Sequence, residues 1–139
     1  MRIGIFDSGV GGLIIAKAVR KTMPEYDYVY LGDTKRVPYG NRSHQAIFEF
    51  TKEGVDYLFR KENCAIVIIA CNTASARALR RIQKEYTPSA FGISPLTGGE
   101  LAETFRTIIS GSTSPVGRII CWAGSGLCDN SYSDGVAET

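Results

Sequence analysis

The stretch "CAIVIIACNTASARALRRIQKEY", residues 64–86, decides the fold. Its first seven residues are almost entirely apolar and rich in β-branched side chains, which is typical of a strand buried on both faces of a parallel sheet. Cap-forming residues follow, and small and aliphatic side chains then recur at helical spacing between Ala74 and Ile82. The stretch therefore predicts a buried strand over 65–70 and a helix from about 73 to 86.

Cys71 lies between that strand and that helix. Open α/β sheets bind ligands beyond the carboxyl ends of their strands, and a helix N-terminus stabilises a thiolate. A buried cysteine is also a common small apolar filler of a protein core. The position of Cys71 is therefore compatible with a reactive thiol and with a core filler, and it does not separate the two.

Strand and helix patterns alternate outward from this stretch. The predicted strands cover residues 2–6, 27–31, 65–70 and 89–93, and the predicted helices cover residues 11–23, 44–62 and 73–86. The side chains expected to point mainly inward from the first helix are Leu13, Ala16, Ala18 and Val19. In the second helix, Gly54 is an expected weak point. Repeated β-α units predict an α/β fold, with a parallel sheet, right-handed crossovers and helices on both faces.

The composition is that of a soluble globular protein with room for one ordinary domain. Of the 139 residues, 44% are hydrophobic and 22% are charged, and the formal net charge is +2. This charge is too small to indicate a nucleic acid or an anionic membrane as a partner. No segment approaches the roughly 20 apolar residues that span a bilayer.

The cysteines and the histidine limit the chemistry further. The cysteines are Cys64, Cys71, Cys121 and Cys128. They form no C-x-x-C pair, and the start "MRIGIFDSG" lacks the pattern of a secretory signal, so we expect a cytoplasmic protein with reduced thiols. Since the sequence contains a single histidine, His44, a histidine-based metal site or a Ser/His/Asp triad within one chain is not expected.

The motif "FDSGVGG", residues 6–12, follows the first predicted strand. Its glycines allow backbone N–H groups to turn toward an anion, and the next helix adds the positive end of its dipole. The same glycines also suit a tight turn between a strand and a helix. Asp7 and Ser8 are expected to point into the cleft beyond the strand.

Polar residues also follow the next two strands. The segment "GDTKRVPYG", residues 32–40, is expected to form a loop that presents Tyr39, and "CNTAS", residues 71–75, places Asn72 and Thr73 beside the thiol. A thiol, a carboxylate, hydroxyls and an amide would thus converge on one sheet edge. This set suits a small zwitterion better than a nucleotide.

Three motifs together resemble a known family. The segments "IGIFDSGVGGL", "YLGDTKRVPYGNRS" and "IIACNTASA" are similar, in order and spacing, to the amino-terminal half of the bacterial glutamate racemases. These enzymes belong to the aspartate/glutamate racemase family, whose members use no cofactor. The resemblance covers about residues 2–95, with small departures at Ile14 and Lys35, where the family usually has threonine and alanine.

The resemblance implies a three-layer, flavodoxin-like domain and an activity. It implies that Cys71 is one of two catalytic thiols, and that no cofactor or metal is needed. It implies interconversion of L- and D-glutamate for peptidoglycan synthesis, in a protein that can form a homodimer. The residues implied to contact the substrate glutamate are Asp7, Ser8, Tyr39, Gly40, Asn72 and Thr73.

The carboxyl-terminal part of the chain departs from the family. The second thiol of the family lies in a "GCTH" motif of a second domain, and neither "IICWAGS" around Cys121 nor "GLCDNSY" around Cys128 matches that motif. From residue 101 to 139, fifteen of 39 residues are Ser, Thr or Gly and none is lysine. We expect a racemase-like α/β domain over 1–97 and a divergent, partly disordered tail over 98–139, in which residues 118–124 form one more strand. The tail is a truncated or frame-shifted second domain, or the chain is a natural short variant.

Three interpretations of function therefore stand. The chain is a glutamate racemase by descent, with turnover in doubt because the second thiol is not found. Within the same class, it acts on aspartate or another amino acid. From a different class, it is a non-catalytic fragment that binds a carboxylate or another subunit.

Overall fold

The computed structural model describes residues 1–86 and the backbone of residues 118–121. Four parallel strands lie in the order β2-β1-β3-β4, which begins like the 2-1-3-4-5 order of flavodoxin-like sheets. The strands are β1 Arg2–Asp7, β2 Asp27–Gly32, β3 Ile66–Ile69 and β4 Arg118–Cys121. The helices are α1 Leu13–Thr22, α2 His44–Arg60 and α3 Asn72–Glu85. The predicted α/β fold with a parallel sheet is confirmed.

Strand β4 comes from the part of the chain where residues 118–124 were expected to form a strand, and it pairs in parallel with β3. The strand predicted over 89–93 and the expected domain boundary near residue 97 lie outside the described residues. No helix in the described part of the chain is long and apolar enough to cross a membrane.

The register between the two central strands divides the core into two layers. Ile3 is paired with Ile66, and Phe6 with Ile69. Because side chains alternate along a strand, one set faces α1 and the other faces α2 and α3. The α1 side contains Ile3, Ile5, Ile66, Ile68, Val19 and Met23, and the opposite side contains Phe6, Val67, Ile69, Ile47, Val55, Leu58, Ala74, Ala78 and Ile82. Helices therefore cover both faces, as the sequence predicts.

Helix α1 presents a different face from the one expected. Val19 is buried and Ile15 and Ala16 pack against the same cluster, whereas Leu13 is 49% exposed and Ala18 is also exposed. At about 3.6 residues per turn, Leu13 and Ala18 lie roughly 100–120° around the helix from Val19. The expectation that these two residues point inward was wrong.

Gly54 has a packing role in α2. A Cβ atom at this position would lie 2.3 Å from the ring of Phe6, so glycine lets the helix approach β1 closely. The residue expected to weaken the helix is therefore a point of close contact between α2 and β1.

Candidate functional site

A cleft of about 430 Å³ lies at the carboxyl ends of β1 and β3. Its volume falls within the roughly 300–1,000 Å³ of small-molecule sites. It is lined by Asp7, Ser8, Gly9, Gly11, Gly12, Ile14, Ile15, Ala70, Cys71, Asn72 and Thr73. Two of the three predicted motifs thus meet at the sheet edge where ligands of α/β folds bind.

Cys71 lies directly before α3, and its side chain caps that helix. The Sγ atom accepts a hydrogen bond from the backbone N–H of Ala74 at 3.4 Å, and the thiol donates to Ser8 Oγ at 3.2 Å. If the sulfur is a thiolate, the Ser8 hydroxyl can donate to it instead, because a hydroxyl both donates and accepts. Cys71 is 5% exposed as a residue but lines the cleft, so burial and a polar environment coincide here.

Asp7 holds the turn that follows β1. Its Oδ1 atom accepts a hydrogen bond from the N–H of Ser8, and its Oδ2 atom accepts one from the N–H of Gly12, both at 2.8 Å. Two N–H groups of the glycine-rich motif are therefore directed at the protein's own carboxylate. This arrangement favours the tight-turn interpretation of these two N–H groups over the anion-binding one.

Asn72 and Thr73 are the first two residues of α3, where Asn72 is exposed and Thr73 is half-buried. Both line the cleft beside Cys71. Their amide and hydroxyl groups and the positive end of the helix dipole therefore lie at the same place, which suits a bound carboxylate.

Tyr39 and Gly40 do not line this cleft. The Tyr39 ring is buried and packs between Phe6 and Phe50, with its hydroxyl donating to Asp33 Oδ2 at 2.5 Å. Burial, and then this hydrogen bond, raise the pKa of Tyr39. The exposed Gly40 offers its carbonyl to Arg77. The substrate contacts implied for these two residues stay predictions.

Tyr30 is a polar neighbour of the cleft that sequence reasoning missed. Its hydroxyl donates to Asp7 Oδ2 at 2.8 Å and lies 3.1 Å from the carbonyl oxygen of Gly9. Nothing in the segment "DYVYLG" distinguishes it from its tyrosine neighbours. The register that places Ile5 beside Tyr30 brings it to the turn.

The described residues contain no candidate metal site. No group of three or more His, Cys, Asp or Glu side chains there could hold a metal ion.

The chain is similar to curated glutamate racemases. It is 47% identical over 93 residues to that of Aquifex aeolicus (strain VF5), and 50% identical over 93 residues to that of Aquifex pyrophilus. The matched region of this chain is therefore homologous to part of a glutamate racemase. No family model matches it.

The glutamate racemase similarity covers part of each protein. It extends over 67% of this chain and 36% of each of those two relatives, so the chain spans little more than a third of their length. This confirms the resemblance inferred from the three motifs, for about two-thirds of the chain.

Solved glutamate racemase structures share the fold. The Aquifex pyrophilus enzyme matches with a TM-score of 0.57 at 32% identity, over 98% of this chain and 61% of that one. The Francisella tularensis enzyme in complex with D-glutamate matches with a TM-score of 0.58 at 26% identity, over 86% of this chain and 51% of that one.

Proposed function

We propose that the cleft binds glutamate and that Cys71 transfers a proton at its α-carbon, as one half of a glutamate racemase site. The observation that carries this proposal is the position of the Cys71 sulfur. It lines the cleft, within hydrogen-bonding distance of Ser8 Oγ and the Ala74 N–H, between a strand and a helix of a racemase-like domain.

The chemistry of this half-site follows from the sulfur and its neighbours. As a thiolate, Cys71 removes the α-proton: the C–H bond breaks, an S–H bond forms, and the electron pair remains on the α-carbon as a carbanion. The Ala74 N–H and the Ser8 hydroxyl stabilise the thiolate before transfer, because both can donate to it. The reverse step returns a proton to the same face of the carbon.

Inversion needs a second donor on the opposite face of the α-carbon. That donor has to lie within about 3–3.5 Å of the reacting carbon. Within residues 1–86, Cys71 is the cysteine that lines the cleft, and Cys64 lies at the other end of β3. The described part of the chain therefore supports proton exchange on one face.

The other cleft residues have distinct roles in binding. Asn72 and Thr73 hold a carboxylate of the substrate at the start of α3. Asp7 Oδ2 already accepts two hydrogen bonds, whereas Oδ1 accepts one, from Ser8. An ionised carboxylate has about two acceptor positions per oxygen, so Oδ1 retains one for the substrate ammonium.

The cellular role extends this proposal. D-Glutamate made by the protein would serve peptidoglycan synthesis, and hence cell-wall formation and cell shape, in the cytoplasm. The glutamate racemase relatives support this role, and the free thiols of Cys64 and Cys71 suit a reducing compartment. The homodimer implied by the family resemblance stays a prediction.

Incubation of the purified chain with one glutamate enantiomer in D₂O tests the proposal. We expect deuterium to enter the α-position with retained configuration, as followed by NMR and chiral chromatography. Cys71→Ser should abolish this exchange, whereas Cys64→Ser should retain it. Loss of exchange in both variants, or in neither, would contradict the assignment of Cys71.

The other outcomes separate the remaining interpretations. Glutamate binding without exchange would indicate a non-catalytic carboxylate-binding fragment, and faster exchange of aspartate would indicate a different substrate. Inversion that is lost in Cys121→Ser or Cys128→Ser would show that a second thiol comes from the carboxyl-terminal part of the chain.

A further inference from the structure

The Tyr30 hydroxyl joins two residues of one turn. It contacts the carboxylate of Asp7 at 2.8 Å and the carbonyl of Gly9 at 3.1 Å, although Tyr30 lies on the neighbouring strand. The backbone N–H of Asp33, just beyond the same strand, donates to the carbonyl of Asp7 at 2.9 Å. Strand β2 is thereby tied to the turn at both the side chain and the backbone of Asp7.

The Tyr30 hydroxyl is suited to remain a hydrogen-bond donor to Asp7. Burial, followed by its hydrogen bond to Asp7, raises the pKa of Tyr30. Tyr30 therefore keeps its proton at neutral pH. The contact of the Tyr30 hydroxyl with Asp7 Oδ2 is shorter than its contact with the Gly9 carbonyl. Rotation of the Asp7 carboxylate would break this hydrogen bond together with those from the Gly12 and Ser8 N–H groups.

We propose that Tyr30 is a positioning residue of the glutamate site and acts through Asp7. Its hydroxyl saturates Oδ2 and so fixes the carboxylate with Oδ1 as the acceptor that remains for a ligand. Tyr30 itself is not among the residues that line the cleft. This inference rests on the proposed function, since it concerns the group that would receive the substrate ammonium.

The chain offers a matched control on the same strand. Tyr28 lies two residues earlier, packs in the same core layer as Tyr30, and donates its hydroxyl to the carbonyl of Met23 at 2.6 Å. Tyr28→Phe and Tyr30→Phe each remove one half-buried hydroxyl and its hydrogen bond. A merely structural role predicts similar losses of stability and no difference in ligand binding between the two variants.

Glutamate affinity in a double-mutant cycle is the test. We expect Tyr30→Phe to weaken glutamate binding by about tenfold in isothermal titration calorimetry, and Tyr28→Phe to leave it unchanged. In an Asp7→Ala background, Tyr30→Phe should have no further effect, because the group through which it acts is gone. Equal effects of the two Phe variants, or an undiminished effect of Tyr30→Phe without Asp7, would overturn the inference.

A second measurement does not depend on glutamate. Amide hydrogen exchange of Ser8 and Gly12, followed by NMR, should be about tenfold faster in Tyr30→Phe than in the parent chain, and unchanged in Tyr28→Phe. If the parent chain does not bind glutamate, the proposed function fails, and these exchange rates still decide whether Tyr30 holds Asp7. Unchanged rates in Tyr30→Phe would refute that role.

Discussion

Cys64 and Cys71 lie beyond opposite ends of strand β3, and each is 5% exposed. The sulfur of Cys64 packs beside Gly4 and Leu58, and burial raises the pKa of its thiol to about 11. The sulfur of Cys71 instead contacts a hydroxyl and the first turn of a helix. The two residues show that a buried fraction alone does not separate a core filler from a reactive thiol. The direction of the strand separates the two, because Cys71 follows its carboxyl end, directly before a helix N-terminus, whereas Cys64 precedes its amino end.

The largest expected difference between the two ends is in thiol alkylation. At pH 8, a thiol with a pKa of about 11 is a thiolate in roughly one molecule in a thousand. We therefore expect iodoacetamide to label Cys64 roughly a hundredfold more slowly than an ordinary exposed thiol, and to label Cys71 faster than Cys64, as measured by mass spectrometry of the peptides. Labelling of Cys64 should rise about tenfold per pH unit toward pH 11, because the thiolate reacts. Equally slow labelling of both cysteines at pH 8 would make Cys71 a core filler as well.

Two glycines, one near each cysteine, extend the comparison, with effects of intermediate size. A Cβ atom at Gly12 would lie 2.9 Å from Ala70 Cβ and 3.0 Å from Asp7 Cγ, and one at Gly4 would lie 3.1 Å from Cys64 Sγ. Each Gly→Ala variant should lower the free energy of unfolding by about 1–3 kcal/mol through overpacking, as measured by urea denaturation.

The two glycine variants should differ in the cleft. Gly12→Ala displaces the Asp7 carboxylate and should also weaken glutamate binding, whereas Gly4→Ala should leave binding and Cys71 labelling as in the parent chain. Loss of binding in Gly4→Ala would mean that the two ends of the sheet are not separable.

The smallest effect is expected from the Ser8 hydroxyl. Ser8→Ala removes the hydroxyl that can donate a hydrogen bond to the Cys71 thiolate, and it should slow alkylation of Cys71 by about two- to tenfold, because water in the cleft can replace part of this stabilisation. Ser75→Ala is the control, because Ser75 lies in α3, the helix that follows Cys71, but donates to the carbonyl of Ile69. A similar change in both variants would indicate a general loosening of α3.

The sequence predicted the elements around β3 well, because both patterns there are local. The strand expected over 65–70 is β3, Ile66–Ile69, and the helix expected from 73 to 86 is α3, Asn72–Glu85. The positions of Asp7, Ser8 and Cys71 at one edge followed from the rule that parallel strands end together.

The features that the sequence did not predict depend on contacts between distant residues. Tyr39 packs into the core because its ring contacts Phe6 and Phe50 and its hydroxyl donates to Asp33. The turn residues of its own loop do not encode these contacts. Tyr30 reaches Asp7 through the β1–β2 register, across 23 positions of the chain. Which face of α1 points inward depends on the residue at which the helix begins. A shift of that start by one or two residues exchanges inner and outer positions.

The Asp7 carboxylate both holds the turn after β1 and lines the cleft, and this combination constrains how the site can evolve. A substitution at Asp7 that retunes the cleft for another ligand also removes the acceptor of the Ser8, Gly12 and Tyr30 donors, so that it carries a folding penalty. Asn72 and Thr73 line the same cleft from the start of α3, with Asn72 exposed and Thr73 half-buried. New substrate preferences in descendants of this domain should therefore arise first at positions 72 and 73, while position 7 is inherited unchanged.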